Sequence, residues 1–445
     1  MLVFAVAIVA FAFLNAGYSL ANKVPSQLAP YLLVFILMMA GAHLAIRRWA
    51  PYADPLLLPL AALLNGLGIV MIYRLAVQGN QLSEPMTLSS STFQLVYSAI
   101  GVACFVAVLA FVGEPRVLQR YTYTFGAVGL VLLALPAFLP NSISEVPGTT
   151  ARIQIALGGF TVQPEEFGKL ALAISFAGYL VAKRDVLALA GRRVLGVDLP
   201  RTRDLGPILI AWGASLLLLV FEKDVGTSAV FMGLFVAMLY LATSRTSWLL
   251  IGFGMFVVGA LAASKLFSYV GQRFEVWMHP FSPALINGLG FQTAQGLEGM
   301  GAGGLLGKGL GGGQPYYTPL VQSDFIFTAF GEELGLAGVM AILLIYALIV
   351  QRGMRTAISV KDPFSKLLAG GLSFMLALQV FVIVGGVTRL IPLTGITTPF
   401  LSQGGSSLVA SWILIALLVR LSDAARRPPP RSIQDEGMTQ VVTLT

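Results

Sequence analysis

Residues 2–20 read LVFAVAIVAFAFLNAGYSL, nineteen residues without a charged side chain. As a helix rising 1.5 Å per residue, such a run crosses about 28 Å, close to the ~30 Å hydrocarbon core of a bilayer. No basic segment precedes it and no small-residue cleavage site follows, so it reads as a first spanning helix rather than a secretory signal. Eleven further apolar runs recur near residues 28–46, 55–73, 95–112, 121–139, 166–182, 207–221, 225–242, 247–263, 325–350, 367–386 and 405–421, those at 207 and 225 being short enough to be broken or tilted. Of the 445 residues 57% are hydrophobic and 11% charged, against roughly 25% charged in a soluble domain. The predicted fold class is therefore all-α, a polytopic integral membrane protein with about twelve transmembrane helices.

The basic residues give the orientation. With the N-terminus in the cytoplasm, nineteen of the 28 lysines and arginines fall in inside segments, among them Arg47, Arg48, Lys183, Arg184, Arg352, Arg355, Arg426 and Arg427. That bias places both termini inside. The net charge of +8 is accounted for by a surface facing anionic lipid and calls for no nucleic acid. Residues 422–445, with Pro428, Pro429 and Pro430, carry too few apolar side chains to build a core and are expected to form a disordered cytoplasmic tail.

The single cysteine, Cys104, excludes an intramolecular disulfide, and two distant histidines, His43 and His279, argue against a histidine metal centre or a Ser-His-Asp triad. Acid-base work falls to carboxylates. The longest connection, 264–324, lies outside in this topology, and twelve glycines between Gly288 and Gly313 make it a large glycine-rich extracytoplasmic loop. Glycine lets a backbone approach a ligand closely, and the interleaved Leu289, Phe291, Leu305 and Leu306 suit a half-buried loop rather than a plain linker. Gly307-Lys308-Gly309 is not a phosphate-binding loop, because Ala302 and Gly309 stand where that motif needs Gly and Ser or Thr.

Three acids occur in this loop, Glu275, Glu298 and Asp324, and Asp324 directly precedes an apolar run. Capping of the next helix and catalysis are both open to it. Glu332 and Glu333 lie about 12–14 Å further along that helix, below the surface, where an acid faces a polar interior. Glu166 and Lys169 are neighbours on one helical face, and either a structural ion pair or a working site accounts for them. Glu222, Lys223 and Asp224 form a charged corner between two spans, for which an outer turn suffices.

Five motifs then occur in a known order: Gln163-Pro164-Glu165-Glu166-Phe167-Gly168-Lys169; Lys223-Asp224-Val225-Gly226-Thr227; Gln292 and Gln295 with the glycine-rich run through Lys308; Ser323-Asp324-Phe325-Ile326-Phe327 with Glu332-Glu333-Leu334-Gly335; and Pro392-Leu393-Thr394-Gly395 with Pro399 to Ser407, which includes Ser402 and Ser406. Together they resemble the SEDS family (shape, elongation, division and sporulation), its elongation branch more than its division branch. The surplus N-terminal spans and long tail resemble actinobacterial members. The resemblance implies residues 55–421 as the family's transmembrane glycosyltransferase domain, with residues 1–54 as extra N-terminal helices that inherit no function. Two departures stand out: Pro319-Leu320-Val321-Gln322-Ser323 lacks the Glu and His that many members carry before the aspartate, and Gln154 replaces a usual Trp.

What the resemblance implies is a peptidoglycan glycosyltransferase that polymerises lipid II on the outer face of the bacterial cytoplasmic membrane, for elongation and shape, beside a class B penicillin-binding protein that cross-links the growing glycan strand. Asp324 takes the position of the family's essential aspartate, and Glu166 and Lys169 lie near its central cavity. One carboxylate is enough as base when the leaving group is already a diphosphate. Asp324 is alternatively a ligand for a divalent cation, Mg2+ or Mn2+, that neutralises the diphosphate. Arg273 and Lys308, with Arg152 and loop amides, are the predicted diphosphate partners, each with a plainer reading: interface marker, solvated charge, partner of Glu145. Gln292, Gln295, Ser402 and Ser406 complete the candidate substrate site. A lipid II flippase, a division polymerase and a non-catalytic scaffold are the rivals; a transporter puts its decisive groups at mid-membrane, Glu166, Lys169 and Glu333.

Overall fold

The computed structural model describes residues 1–78, 88–144, 152, 154–157, 160–187, 190–194, 197–200, 213–214 and 224–428. Most of the predicted span at 207–221, the Glu222-Lys223 pair, Glu145 and residues 429–445 of the tail lie outside the described residues.

The described chain is helical almost throughout: α1 Leu2–Ala21, α2 Leu28–Trp49, α3 Leu57–Gln78, α4 Leu88–Phe111, α5 Thr122–Phe138, α6 Pro164–Leu187, α7 Val225–Thr243, α8 Thr246–Leu266, α9 Ser268–Met278, α10 Phe291–Gly303, α11 Ile326–Ser359, α12 Pro363–Val387 and α13 Gly405–Arg426. Two small antiparallel hairpins interrupt it, Ile155–Leu157 with Phe160–Val162 and Ala190–Val194 with Val197–Pro200. Among the described residues, ten helices are long and apolar enough to cross a membrane; α6, with Glu165, Glu166 and Lys169 in its first turns, is not among them, although α5, α7 and α12 pack around it. The chain is a multi-pass membrane protein. α3, α7, α12 and α13 form the buried centre, whereas α1, α2 and α8 present most of their surface outward.

Packing between spans relies on small side chains, because lipid tails are as apolar as leucine and close backbone approach supplies the attraction. α1 buries Ala5, Val9, Ala12, Phe13, Ala16 and Gly17 along one stripe, and that stripe rests on α3. Val9 occupies the space where a Cβ on Gly66 would be, and Phe13 stacks on Tyr73 with ring centroids 4.4 Å apart.

Charge sorts to the two ends of the bundle. At one end Arg352 and Arg426 pair with Asp54, Arg427 with Asp423, and Arg116 with Asp362. Arg420 donates there to the carbonyls of Val112 and Trp49. Burial of Ser422 and Asp423, which accept from the amides of Asp54 and Tyr52, carries α13 five residues past its predicted end at 421. α11 runs from this basic end to the opposite one, where Asp324 precedes it.

α11 is not one rod. Gly335, at φ 67° and ψ −171°, breaks it into 326–334 and 336–359. That conformation is essentially confined to glycine. The backbone groups the break releases are taken up by the glycine-rich loop: the amides of Leu336 and Ala337 donate to the carbonyls of Gly304 (2.9 Å) and Leu305 (3.0 Å), and those of Lys308 and Gly309 donate to Glu332 (3.1 Å) and Glu333 (2.9 Å). Irregular backbone at membrane depth is tolerated when protein satisfies it in this way.

Candidate active site

Asp324 sits at the end of the loop from Pro315 to Phe325 and is 8% exposed. No side chain caps α11, so Asp324 is not the N-cap of that helix; the residue before Ile326 is Phe325. Burial pushes the Asp324 carboxyl up to about 6, against the pull of its own amide, the positive charge of Arg273, the Phe325 amide and Gln292. The Gln292 amide nitrogen lies 3.5 Å from Asp324 Oδ1 and donates at 3.0 Å to the Pro319 carbonyl. Asp324 thus has a nearby cation and weak, long hydrogen bonding, the arrangement that holds a carboxylate ready to accept a proton near neutrality.

Three elements hold this geometry. α9 carries Arg273, whose Nη1 donates to the carbonyls of Leu393 (3.1 Å) and Thr394 (2.8 Å). Arg389 ties the same loop to the end of α9 through the carbonyls of Trp277 (2.7 Å) and Met278 (2.8 Å). Ser402 joins the 394–404 loop to the aspartate: its hydroxyl donates to the Ser323 carbonyl at 2.5 Å and accepts from the Thr398 amide at 2.8 Å. The Gln403 amide adds a 2.8 Å bond to the Gln322 carbonyl. Among the described residues, five non-glycine residues have positive φ. Asn22 and Ser244 end helices, whereas Leu320, Arg389 and Phe400 lie in these loops, where such a backbone costs roughly 1–2 kcal/mol each. Near them the buried Gln322 Oε1, Thr397 Oγ1, Thr398 Oγ1 and Ser407 Oγ have no hydrogen-bond partner among the described residues.

Glu166 and Lys169 form a buried pair at 2.9 Å, with Lys169 also within electrostatic reach of Glu165 and Asp224. Asp224 caps α7 through the Thr227 amide (2.9 Å). Tyr269 on α9 feels both Arg273 and Asp224, and burial raises its phenol to about 12. Ser406 accepts from the Gln163 amide at 2.8 Å, anchoring the start of α6 to α13.

Other candidates lie elsewhere. Lys308 pairs with Glu332 at 2.8 Å rather than with Asp324. Gln295 bonds Glu298 at an exposed position (3.1 Å). Arg152 has interactions of its own, while its predicted partner Glu145 is outside the described residues. No group of three or more His, Cys, Asp or Glu that could hold a metal occurs among the described residues. Sequence reading passed over Arg74, which is buried and pairs with Glu333; an arginine inside an apolar run was the signal.

A multi-pass helical membrane protein with a broken helix and one underpaired buried carboxylate at its mouth defines the class. The chain belongs to the FtsW/RodA/SpoVE family, whose model, described as "Cell cycle protein", matches residues 55–427. It is 49% identical to the peptidoglycan glycosyltransferase RodA of Mycobacterium tuberculosis over 96% of this chain and 90% of that one. Against the stage V sporulation protein E of Bacillus subtilis the identity is 31%, over 84% of this chain and 98% of the relative. A chain from a peptidoglycan synthase complex that coordinates polymerization and crosslinking shares the fold, with TM-score 0.65 at 23% identity, covering 84% of this chain and 99% of its own length.

Proposed function

We propose that this protein is a peptidoglycan glycosyltransferase that polymerises lipid II, with Asp324 as its base. The observation that carries the reading is a buried carboxylate raised to about 6 beside Arg273. The acceptor sugar hydroxyl attacks the anomeric carbon of the donor. A carbon–oxygen bond forms there as the bond to the diphosphate breaks, its electron pair leaving with the diphosphate, and the hydroxyl proton passes to Asp324. Arg273 offsets charge on the diphosphate, and the unpartnered Gln322, Thr397, Thr398 and Ser407 are the polar groups a sugar would satisfy. Gln292 orients Asp324, Ser402 holds its loop, and Glu166 with Lys169 and Ser406 orders the neighbouring helix start.

A divalent cation at Asp324 would draw most of its ligands from diphosphate oxygens and water, since the site offers one carboxylate. When bound it would neutralise the leaving group. The active end faces away from the cytoplasm of a bacterial inner membrane, because the basic residues gather at the other end. Identity with a RodA relative supports service to elongation and shape, and the synthase-complex likeness supports a class B penicillin-binding protein as partner. Residues 1–54 are a peripheral addition to the glycosyltransferase domain of residues 55–421.

The broken α11 and the buried Arg74–Glu333 pair favour one rival, a lipid II flippase. Purified protein with its partner, given labelled lipid II, separates the two. Long glycan from the wild-type chain and none from Asp324→Asn is expected; lipid movement across vesicles without polymer would support the flippase.

A further inference from the structure

Arg74 stands four residues before the end of α3 and is fully buried, an expensive place for a guanidinium unless every arm is used. Every arm is used. Nε donates to Glu333, Nη2 to the Gly313 carbonyl at 2.6 Å, and Nη1 to Gln78 Oε1 at 2.6 Å. The other oxygen of Glu333 accepts from the Gly311 amide at 3.0 Å. One residue earlier, Glu332 accepts from Lys308 Nζ (2.8 Å) and the Gln314 amide (2.9 Å). Residues 308–314 are therefore fixed to the half-helix 326–334. α1 backs the same place: Phe13 stacks on Tyr73, next to Arg74, and a Cβ on Gly311 would come within 3.1 Å of the Ala16 carbonyl.

Asp324 lies between the two tied pieces, ten residues after Gln314 and two before Ile326. A chain segment of that length samples many conformations unless its ends are fixed. The geometry points to Arg74 as a positioning residue: by gripping Glu333 on the half-helix and Gly313 on the loop, it fixes the segment that presents Asp324 to the acceptor sugar. The inference rests on the reading of Asp324 as base. Arg74 touches no reacting atom. Its effect belongs in turnover, because misplacing a reacting group by about 1 Å costs on the order of 100-fold.

The test is the double variant Arg74→Met/Glu333→Met, which removes both buried charges at similar volume and so avoids an unpaired ion. Full-length protein with its partner is assayed for melting temperature, for kcat and KM with lipid II, and for trypsin cleavage after Lys308. The expected result is a melting temperature near that of the wild type, kcat lower by about 10- to 100-fold with KM little changed, and faster cleavage after Lys308. Arg74→Lys, which keeps the pair with Glu333 but cannot also reach Gly313 and Gln78, should recover part of the lost kcat. Wild-type kcat in the double variant, or losses in both variants that only follow the fraction unfolded, would overturn the inference. No polymer from the wild-type chain would count against the Asp324 reading itself; in that case unchanged cleavage after Lys308 still overturns the positioning role.

Discussion

Asp324 and Glu333 are nine residues apart, one just before the half-helix 326–334 and one within its last turn, and both are buried, yet their surroundings differ. Glu333 has a guanidinium and a backbone amide on its two oxygens. Asp324 has its own amide, the Phe325 amide and a 3.5 Å bond from Gln292, and its neighbouring cation, Arg273, is already committed to two carbonyls. A carboxylate paired with a guanidinium organises the chain around it. One without an ion pair keeps more of its basicity, and burial then moves its titration toward neutrality. The difference separates what builds this end of the bundle from what acts there.

The comparison can be broken by exchanging the consequences of loss. Asp324→Asn should lower the polymerisation rate by about 100- to 10,000-fold, the range for a lost general base, as measured by glycan formation from lipid II; a rate within a few-fold of wild type would remove the distinction. Glu333→Gln should act on the fold first, with any turnover loss following from the loosened Asp324 segment. It leaves Arg74 buried without its counter-ion, at about 3–5 kcal/mol, visible as a lower melting temperature in detergent. Gly335→Ala should cost about 3 kcal/mol or more, because the added Cβ would come 2.3 Å from the Gly307 nitrogen at a backbone angle suited to glycine.

A smaller effect sharpens the contrast, since losing Asp324 should stabilise the protein. The fold raises this acid from 3.8 to about 6, so it favours the protonated form, and the associated stability is present at low pH and lost as pH rises through 6. Asp324→Asn should therefore be more stable than wild type by on the order of 3 kcal/mol at pH 7.5, with the gap closing as pH falls toward 4. A gap independent of pH would contradict it. Smallest of all, Ser402→Ala should cost about 1–2 kcal/mol and reduce turnover through the Ser323 carbonyl it no longer holds.

The spans were legible because each is a long run of apolar side chains, and that pattern needs no tertiary information. α6 was found as a helix for the same reason, although charges at both its ends, Glu165, Glu166 and Lys169 and then Lys183, Arg184 and Asp185, keep it from qualifying as a span by composition. The break at Gly335 was not legible: a glycine within a helical pattern does not announce a left-handed backbone, and only the loop that bonds both sides of it makes the break tolerable. Lys308 illustrates the same limit. Sequence put it near Asp324 because both lie in the glycine-rich loop, but the loop folds back on α11 and delivers Lys308 to Glu332. The predicted caution that Asp324 caps its helix failed because Phe325 intervenes. Arg74 follows directly on the predicted span 55–73 and was passed over; α3 continues to Gln78 and so buries it, and its partner lies 259 positions away, which no local spacing announces.

The most direct test of Asp324 as base is the pH dependence of kcat/KM, measured with lipid II well below its KM, because that ratio reports the titration of the unliganded protein. The base works ionised, so the rate should rise as pH increases from 5 to 7, with its midpoint near 6, and level off above. A rate that stays flat across that interval, or that falls as pH rises through it, would contradict the assignment.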